Sequence, residues 1–281
     1  MIVARTSGRL RLVAQVAHQD QCRLLAAAWG NELFRRPQPW QPVVDAAGVH
    51  DEGWRTWEEA PGVMPDGTPR GFDCMEPHEH VAIHRASAAA AAARGDAVGL
   101  VVGMHVAGLV MRRLGIDGAV PTLADRPQPA RELVVWQAAD ARARRARLGE
   151  GADVAGWAWT SYRILQAIDL LSLYLTWRGL AGGESWSLPR VPRCQGDERG
   201  VDIAVTPVDE LTCRLDPWPF GPDELDARVQ ARVVPDLPYP DAAALGLAIN
   251  RAPAADVVFR LVGRPHGGAS SRGAPGLVGP Q

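Results

Sequence analysis

Between Arg9 and Val16 the chain alternates polar and apolar residues, RLRLVAQV, which predicts a short strand or a lead-in to a helix. At Ala17 the period lengthens, and Ala and Leu recur three and four residues apart as far as Trp29, the pattern of an amphipathic helix. Trp29-Gly30-Asn31 stops that helix, and the Pro-rich RRPQPWQP continues as a loop. Pro42 fits the first turn of a second helix, Val43 to about Trp57. The stretch APGVMPDGTPRGFDCMEP carries turn residues throughout and reads as a long connection. Two helices follow, about His80 to Ala93 and Ala97 to Leu114, meeting at Gly95-Asp96. An Arg- and Ala-rich helix spans about Ala130 to Leu148. The last helix, about Ala158 to Arg178, carries Leu165, Ile168, Leu171 and Leu175 on one face.

After Gly183 the pattern changes to short β-type runs, VDIAVTPV, LTCRLDPW, RVQARVVP and ADVVFRLV, separated by Pro, Gly and Asp. The expected fold is therefore mainly α: a helical bundle over residues 1–183, a small β-rich C-terminal appendage over 184–263, and a disordered Gly/Pro/Ser tail over 264–281.

At 281 residues, 47% hydrophobic and 22% charged, the composition excludes collagen-like, disordered and disulfide-scaffold classes. A net charge of -2 gives no general attraction to nucleic acid or an anionic membrane. All 30 basic residues are arginine, so a Walker A lysine, a Schiff-base lysine and a pyridoxal-phosphate anchor are excluded. The four cysteines form no C-x-x-C pair, against a zinc ribbon or thioredoxin-type motif, and point to a reduced, cytoplasmic protein. The N-terminus lacks the apolar run of a signal peptide. The most apolar stretch, Ala97 to Met111, is roughly 22 Å long as a helix, short of a hydrocarbon core of about 30 Å.

Histidines and aspartates supply the candidate chemistry. His18 falls on the first helix, His50-Asp51 on the second, His80 at the start of the third, His105 midway along the fourth, and Asp169 in the apolar frame AIDLLSLYL. These are metal-ligand types, most of them set among apolar neighbours where an unpaired polar group is costly. Each also has a plainer reading: His105 as a hydrogen-bonded core histidine, Asp169 as the partner of Arg163 or Arg178. His84 shares a helix face with His80 and competes with it for the inward position. Glu58, seven residues after Asp51, is placed to accept an N–H from a ligand histidine.

The order H, HD, H, H, D resembles the HD superfamily of metal-dependent proteins over roughly residues 15–180, in particular its two-metal branch. The resemblance implies an HD-type helical bundle with His18, His50 and Asp169 on one ion, Asp51 bridging, and His80 and His105 on the other. A second resemblance, to the bacterial domain of unknown function 3891 family, runs through WGN (Trp29 to Asn31), HDEGWRTWEEAP (His50 to Pro61), EH (Glu79-His80), MHVAGL (Met104 to Leu109), LQAIDLLSLYL (Leu165 to Leu175) and DPWPF (Asp216 to Phe220). It carries no activity with it.

Two divalent ions (Fe, Mn or Mg) suit hydrolysis of a phosphate ester in a small-molecule substrate, with Asp51 and Glu58 as the catalytic carboxylates. Without lysine the phosphate needs arginine, and Arg55, Arg85, Arg112 and Arg113 are nearest in sequence. The same ligands suit a di-iron oxygenase, and a non-catalytic binding protein is a third reading. No nucleic-acid or membrane partner is expected.

Overall fold

The computed structural model describes residues 1–111, 122–149, 151–178, 180 and 183–264. Arg112, Arg113 and the tail from residue 265 lie outside them.

The chain opens on strands β1 (Ile2–Thr6) and β2 (Arg9–Val13), joined by Ser7-Gly8. Both turn residues have positive φ, 43° and 77°, the requirement of a two-residue hairpin turn whose twist matches the strands. Arg9 to Leu12 of β2 then pair antiparallel with Arg232 to Pro235 of β6 (Glu224–Pro235). The two ends of the chain thus share one sheet. Its remaining strands are β3 (Trp186–Val191), β4 (Val201–Pro207), β5 (Thr212–Asp216) and β7 (Ala255–Val262). The order is β1-β2-β6-β7-β5-β4-β3, with β5 and β7 parallel and every other pair antiparallel.

This overturns the expected mainly α, HD-type bundle with a small appendage. The structure is 48% helix and 21% strand, and the seven strands form one curled half-barrel. The four β-type runs after Gly183 fall in β4, β5, β6 and β7. The N-terminal hairpin extends the sheet across the first helix, and apolar residues of helices and strands, from Leu25 and Val101 to Ile203 and Phe259, form a single cluster.

Eight helices pack around the sheet among the described residues: α1 (Gln15–Ala28), α2 (Gln41–Ala47), α3 (Trp54–Glu58), α4 (Pro77–Ala92), α5 (Asp96–Val110), α6 (Gln128–Leu148), α7 (Ala152–Leu173) and α8 (Ala242–Arg251). A π-helical turn, Tyr174–Arg178, extends α7. The single helix expected from Val43 to Trp57 is two helices with a turn between them. Gly53 shows why the chain turns here: a Cβ on it would lie 2.1 Å from the Ile83 carbonyl oxygen and 2.8 Å from the Ser87 nitrogen. His50 and Asp51 therefore occupy a tight turn pressed against α4.

A clamp fixes the far end of α1. The Gly30 N–H donates to Pro219 O at 2.8 Å and the Gly221 N–H to Ala28 O at 2.9 Å. The Asn31 amide donates to the carbonyls of Trp218 and Phe220, and Trp29 meets Phe34 and Phe220 edge to face. WGN and DPWPF, nearly 190 residues apart, are the two halves of one contact.

Candidate metal centre

Helix α1 presents His18 and Cys22 one turn apart on its buried face. A directional relay fixes the His18 ring. The Ser172 hydroxyl lies 2.6 Å from Gln21 Oε1, which only accepts, so its proton is committed there. His18 Nδ1, 2.7 Å from Ser172 Oγ, must then be the N–H that donates to it. Gln21 donates onward to Ala227 O in β6 at 3.0 Å. The neutral ring therefore carries its lone pair on Nε2, which faces Asp169 Oδ1 at 2.8 Å. A lone pair and a carboxylate oxygen at that distance repel unless a proton or a cation lies between them.

His50 is arranged in the same sense. Its Nδ1–H donates to Ala47 O at 2.9 Å, and its Nε2 is buried with no hydrogen-bond partner. That nitrogen lies 3.7 Å from both Asp51 Oδ2 and Asp169 Oδ1, while His18 Nε2 is 3.8 Å from Asp51 Oδ2. Asp51 is steadied through its N–H, which donates to Gln19 Oε1 of α1 at 3.0 Å. On the other side of Asp169, His105 Nε2 is 3.7 Å from Oδ2, and neither His105 nitrogen has a hydrogen-bond partner. The three histidines are each 1% exposed, so bulk water does not satisfy these atoms. Donors around a tetrahedral ion at bonds of 2.0–2.2 Å lie about 3.4 Å apart, and neighbouring donors of an octahedral one about 3.0 Å. Separations of 2.8 to 3.8 Å bracket those edges.

The charges fit the same picture. Burial works against the Asp169 carboxylate, yet His18, His50 and His105 hold it well below its ordinary range. Burial raises Asp51. It also pulls His50 down, but the charges of Asp51 and Asp169 outweigh it and bring that ring up to about 9. His105 is lowered to about 4 and His84 to about 3, chiefly by burial.

The structure thus brings His18, His50, Asp51, His105 and Asp169 together, and the buried group His18, Cys22, His50 and Asp169, with donor atoms all within 4.8 Å of one another, can hold a metal ion. His80 stands farther out: it is half-buried, its Nε2–H donates to Phe72 O at 3.0 Å, and its ring stacks on His84. His84 is the buried member of that pair. Glu58 faces no histidine. Both its oxygens accept the N–H of Gln15, capping the start of α1, and Oε1 also pairs with the Met1 amino group. Arg163, offered as a partner for Asp169, instead binds Gln166 and Pro189 O.

Two residues had escaped sequence reasoning. Cys22 belongs to no C-x-x-C pair, although H-x-x-x-C on a helix puts both side chains on one face. Arg126 has no local signature. It lines a cavity of about 530 Å³ together with His18, Asp51, His84, His105 and Asp169, and its Nε is buried without a hydrogen-bond partner. Among the described residues it is the one cationic side chain on that wall other than histidine. Of the arginines expected near the ligands, Arg55 pairs with Glu52 and Arg85 lies over the Trp136 ring. Removing the relay is expected to loosen the centre: Ser172→Ala should weaken metal binding about 10–100-fold, measured by competition with a chromogenic chelator, while far-ultraviolet circular dichroism stays unchanged.

No helix of the described residues is long and apolar enough to cross a membrane. No curated protein and no solved structure matches the chain significantly. The pattern of one family, described as Protein of unknown function (DUF3891), matches residues 1–236, a span that includes both halves of the α1 clamp and all the clustered donors, and the chain belongs to that family.

Proposed function

We propose that the protein is a metal-dependent hydrolase acting on a phosphate ester of a small molecule. The observation that carries this reading is the shared wall of the 530 Å³ cavity, where the donor cluster meets the unpartnered Nε of Arg126. The order of the donors along the chain, which resembles that of two-metal HD proteins, also supports it. His18, His50 and Asp169 would hold one ion with Asp51 beside it, and Asp169, His105 and His84 would hold a second. Bound there, such ions supply charge stabilisation at the phosphoryl oxygens and an acidified water.

The chain's own residues do the rest. Arg126 binds the non-bridging phosphoryl oxygens, a role the lysine-free sequence leaves to arginine. Asp51, buried and lining the cavity, accepts the proton of the attacking water on its carboxylate. Trp54, Phe72 and Leu173 give the same wall an apolar stretch. Glu58 is left out of this scheme because both its oxygens cap α1.

The test is phosphate release from a panel of phosphomonoesters by protein loaded in turn with zinc, ferrous iron, manganese or magnesium under anaerobic conditions. Release is expected, and Arg126→Ala should lower kcat/KM roughly 10²–10³-fold with metal content unchanged. Absence of release across the panel, or an Arg126→Ala protein as active as the parent, would overturn the proposal. Oxygen uptake by the iron-loaded protein on adding substrate would select the di-iron oxygenase instead.

A further inference from the structure

Cys22 is fully buried, but not among apolar side chains alone. Its Sγ lies 3.7 Å from His18 Nε2 and within 4.8 Å of the donor atoms of His50 and Asp169. A thiolate at about 2.3 Å and an imidazole at about 2.05 Å from a tetrahedral ion lie about 3.5 Å apart, close to the separation observed. The second observation is independent of the cysteine: His50 Nε2, wholly buried and without a hydrogen-bond partner, faces the same point.

The thiol's polar neighbours are His18 Nε2 and the Ser172 hydroxyl. Ser172, the nearest hydroxyl, has its proton committed to Gln21 and its oxygen to His18. A thiol that met two imidazoles and a carboxylate for packing alone would sit in the least apolar part of the core.

We propose that Cys22 is a thiolate ligand of the ion held by His18, His50 and Asp169. The inference rests on the metal reading given above, but not on the phosphate ester. Its consequence is selectivity. Two imidazoles, one carboxylate and one thiolate form a set that favours zinc, cobalt or ferrous iron over magnesium and manganese, because a soft sulfur donor gives those harder cations little. On binding, the thiol S–H breaks, its proton passes to solvent, and the sulfur electron pair forms the bond to the ion.

Cobalt(II) titrated into the chelator-stripped full-length protein separates the possibilities. The expected result is about one cobalt per chain at this centre, with visible ligand-field bands and a near-ultraviolet thiolate-to-cobalt charge-transfer band. In Cys22→Ser the charge-transfer band should vanish while the ligand-field bands remain, and the preference for zinc over manganese should drop about 10–100-fold. Cobalt bound with ligand-field bands but no charge-transfer band in the parent protein would overturn the thiolate and leave the metal reading intact. A charge-transfer band of full strength in Cys22→Ser would also overturn it. Failure of cobalt and zinc to bind at all would overturn both. Absence of the band from the parent spectrum overturns the thiolate whether or not Cys22→Ser folds, and Cys22→Ala repeats the assignment against the other three cysteines in a second variant.

Discussion

Asp169→Asn should cost the protein its bound metal, with affinity falling roughly 10²–10³-fold, the equivalent of about 3–4 kcal/mol, the scale of breaking a buried charge contact. The side chain joins the two halves of the cluster: Oδ1 faces His18 and His50, and Oδ2 faces His105. Asparagine keeps the shape, and its amide nitrogen replaces one oxygen and removes the charge. Elemental analysis after dialysis against metal-free buffer checks the result. Asp140→Asn, which breaks a contact with Arg144 on α6, should retain the metal of the parent protein. Full metal content in Asp169→Asn would mean that the ion is held elsewhere.

The metal-free protein should be most stable near pH 6.5 and lose stability on both sides. His84 and His105, lowered to about 3 and about 4, stay neutral in the folded chain while the unfolded chain takes up protons below 6.5. Their contribution is complete above 6.5 and is lost as pH falls, at about 1.4 kcal/mol per unit for each ring. Between pH 6.5 and 5 the loss is about 2 kcal/mol from each, or about 4 together. His50, raised to about 9, behaves oppositely. Its contribution is complete below 6.5 and is lost as pH rises to 9, about 3 kcal/mol in all. Asp169, held low, stabilises above the ordinary carboxylate range and loses that contribution only as pH falls below it. Urea midpoints from pH 5 to 9 would trace the curve. A bound ion should flatten the alkaline limb, because it takes the place of the proton on His50. A metal-free curve that rises steadily to pH 9 would contradict the arrangement.

The donors were legible where chemistry and periodicity coincide. A histidine in GMHVAGL and an aspartate in AIDLLSLYL stand out because the helices around them are apolar, and an apolar helix does not bury such groups idly. Local pattern could not show what lies across the fold. Strand β2 finds its partner in β6, more than 200 residues later, so nothing near Arg9 announces a seven-stranded sheet. The break between α2 and α3 follows from the closeness of Gly53 to Ile83 and Ser87, a contact between separate elements. Glu58 has the right spacing for a histidine partner, but the start of α1, which has no side-chain cap of its own, claims it.

The clamp on α1 has a consequence for biosynthesis. Every clustered donor, from His18 to Asp169, has left the ribosome before DPWPF and β6 are translated. A nascent chain ending near residue 180 therefore holds all the ligands, but its first helix has neither the strand whose Ala227 carbonyl anchors the His18 relay nor the Trp29–Phe220 contact that fixes its far end. The centre is completed from the C-terminal side, so a stalled or truncated chain exposes loose histidines and a free thiol instead of a finished pocket.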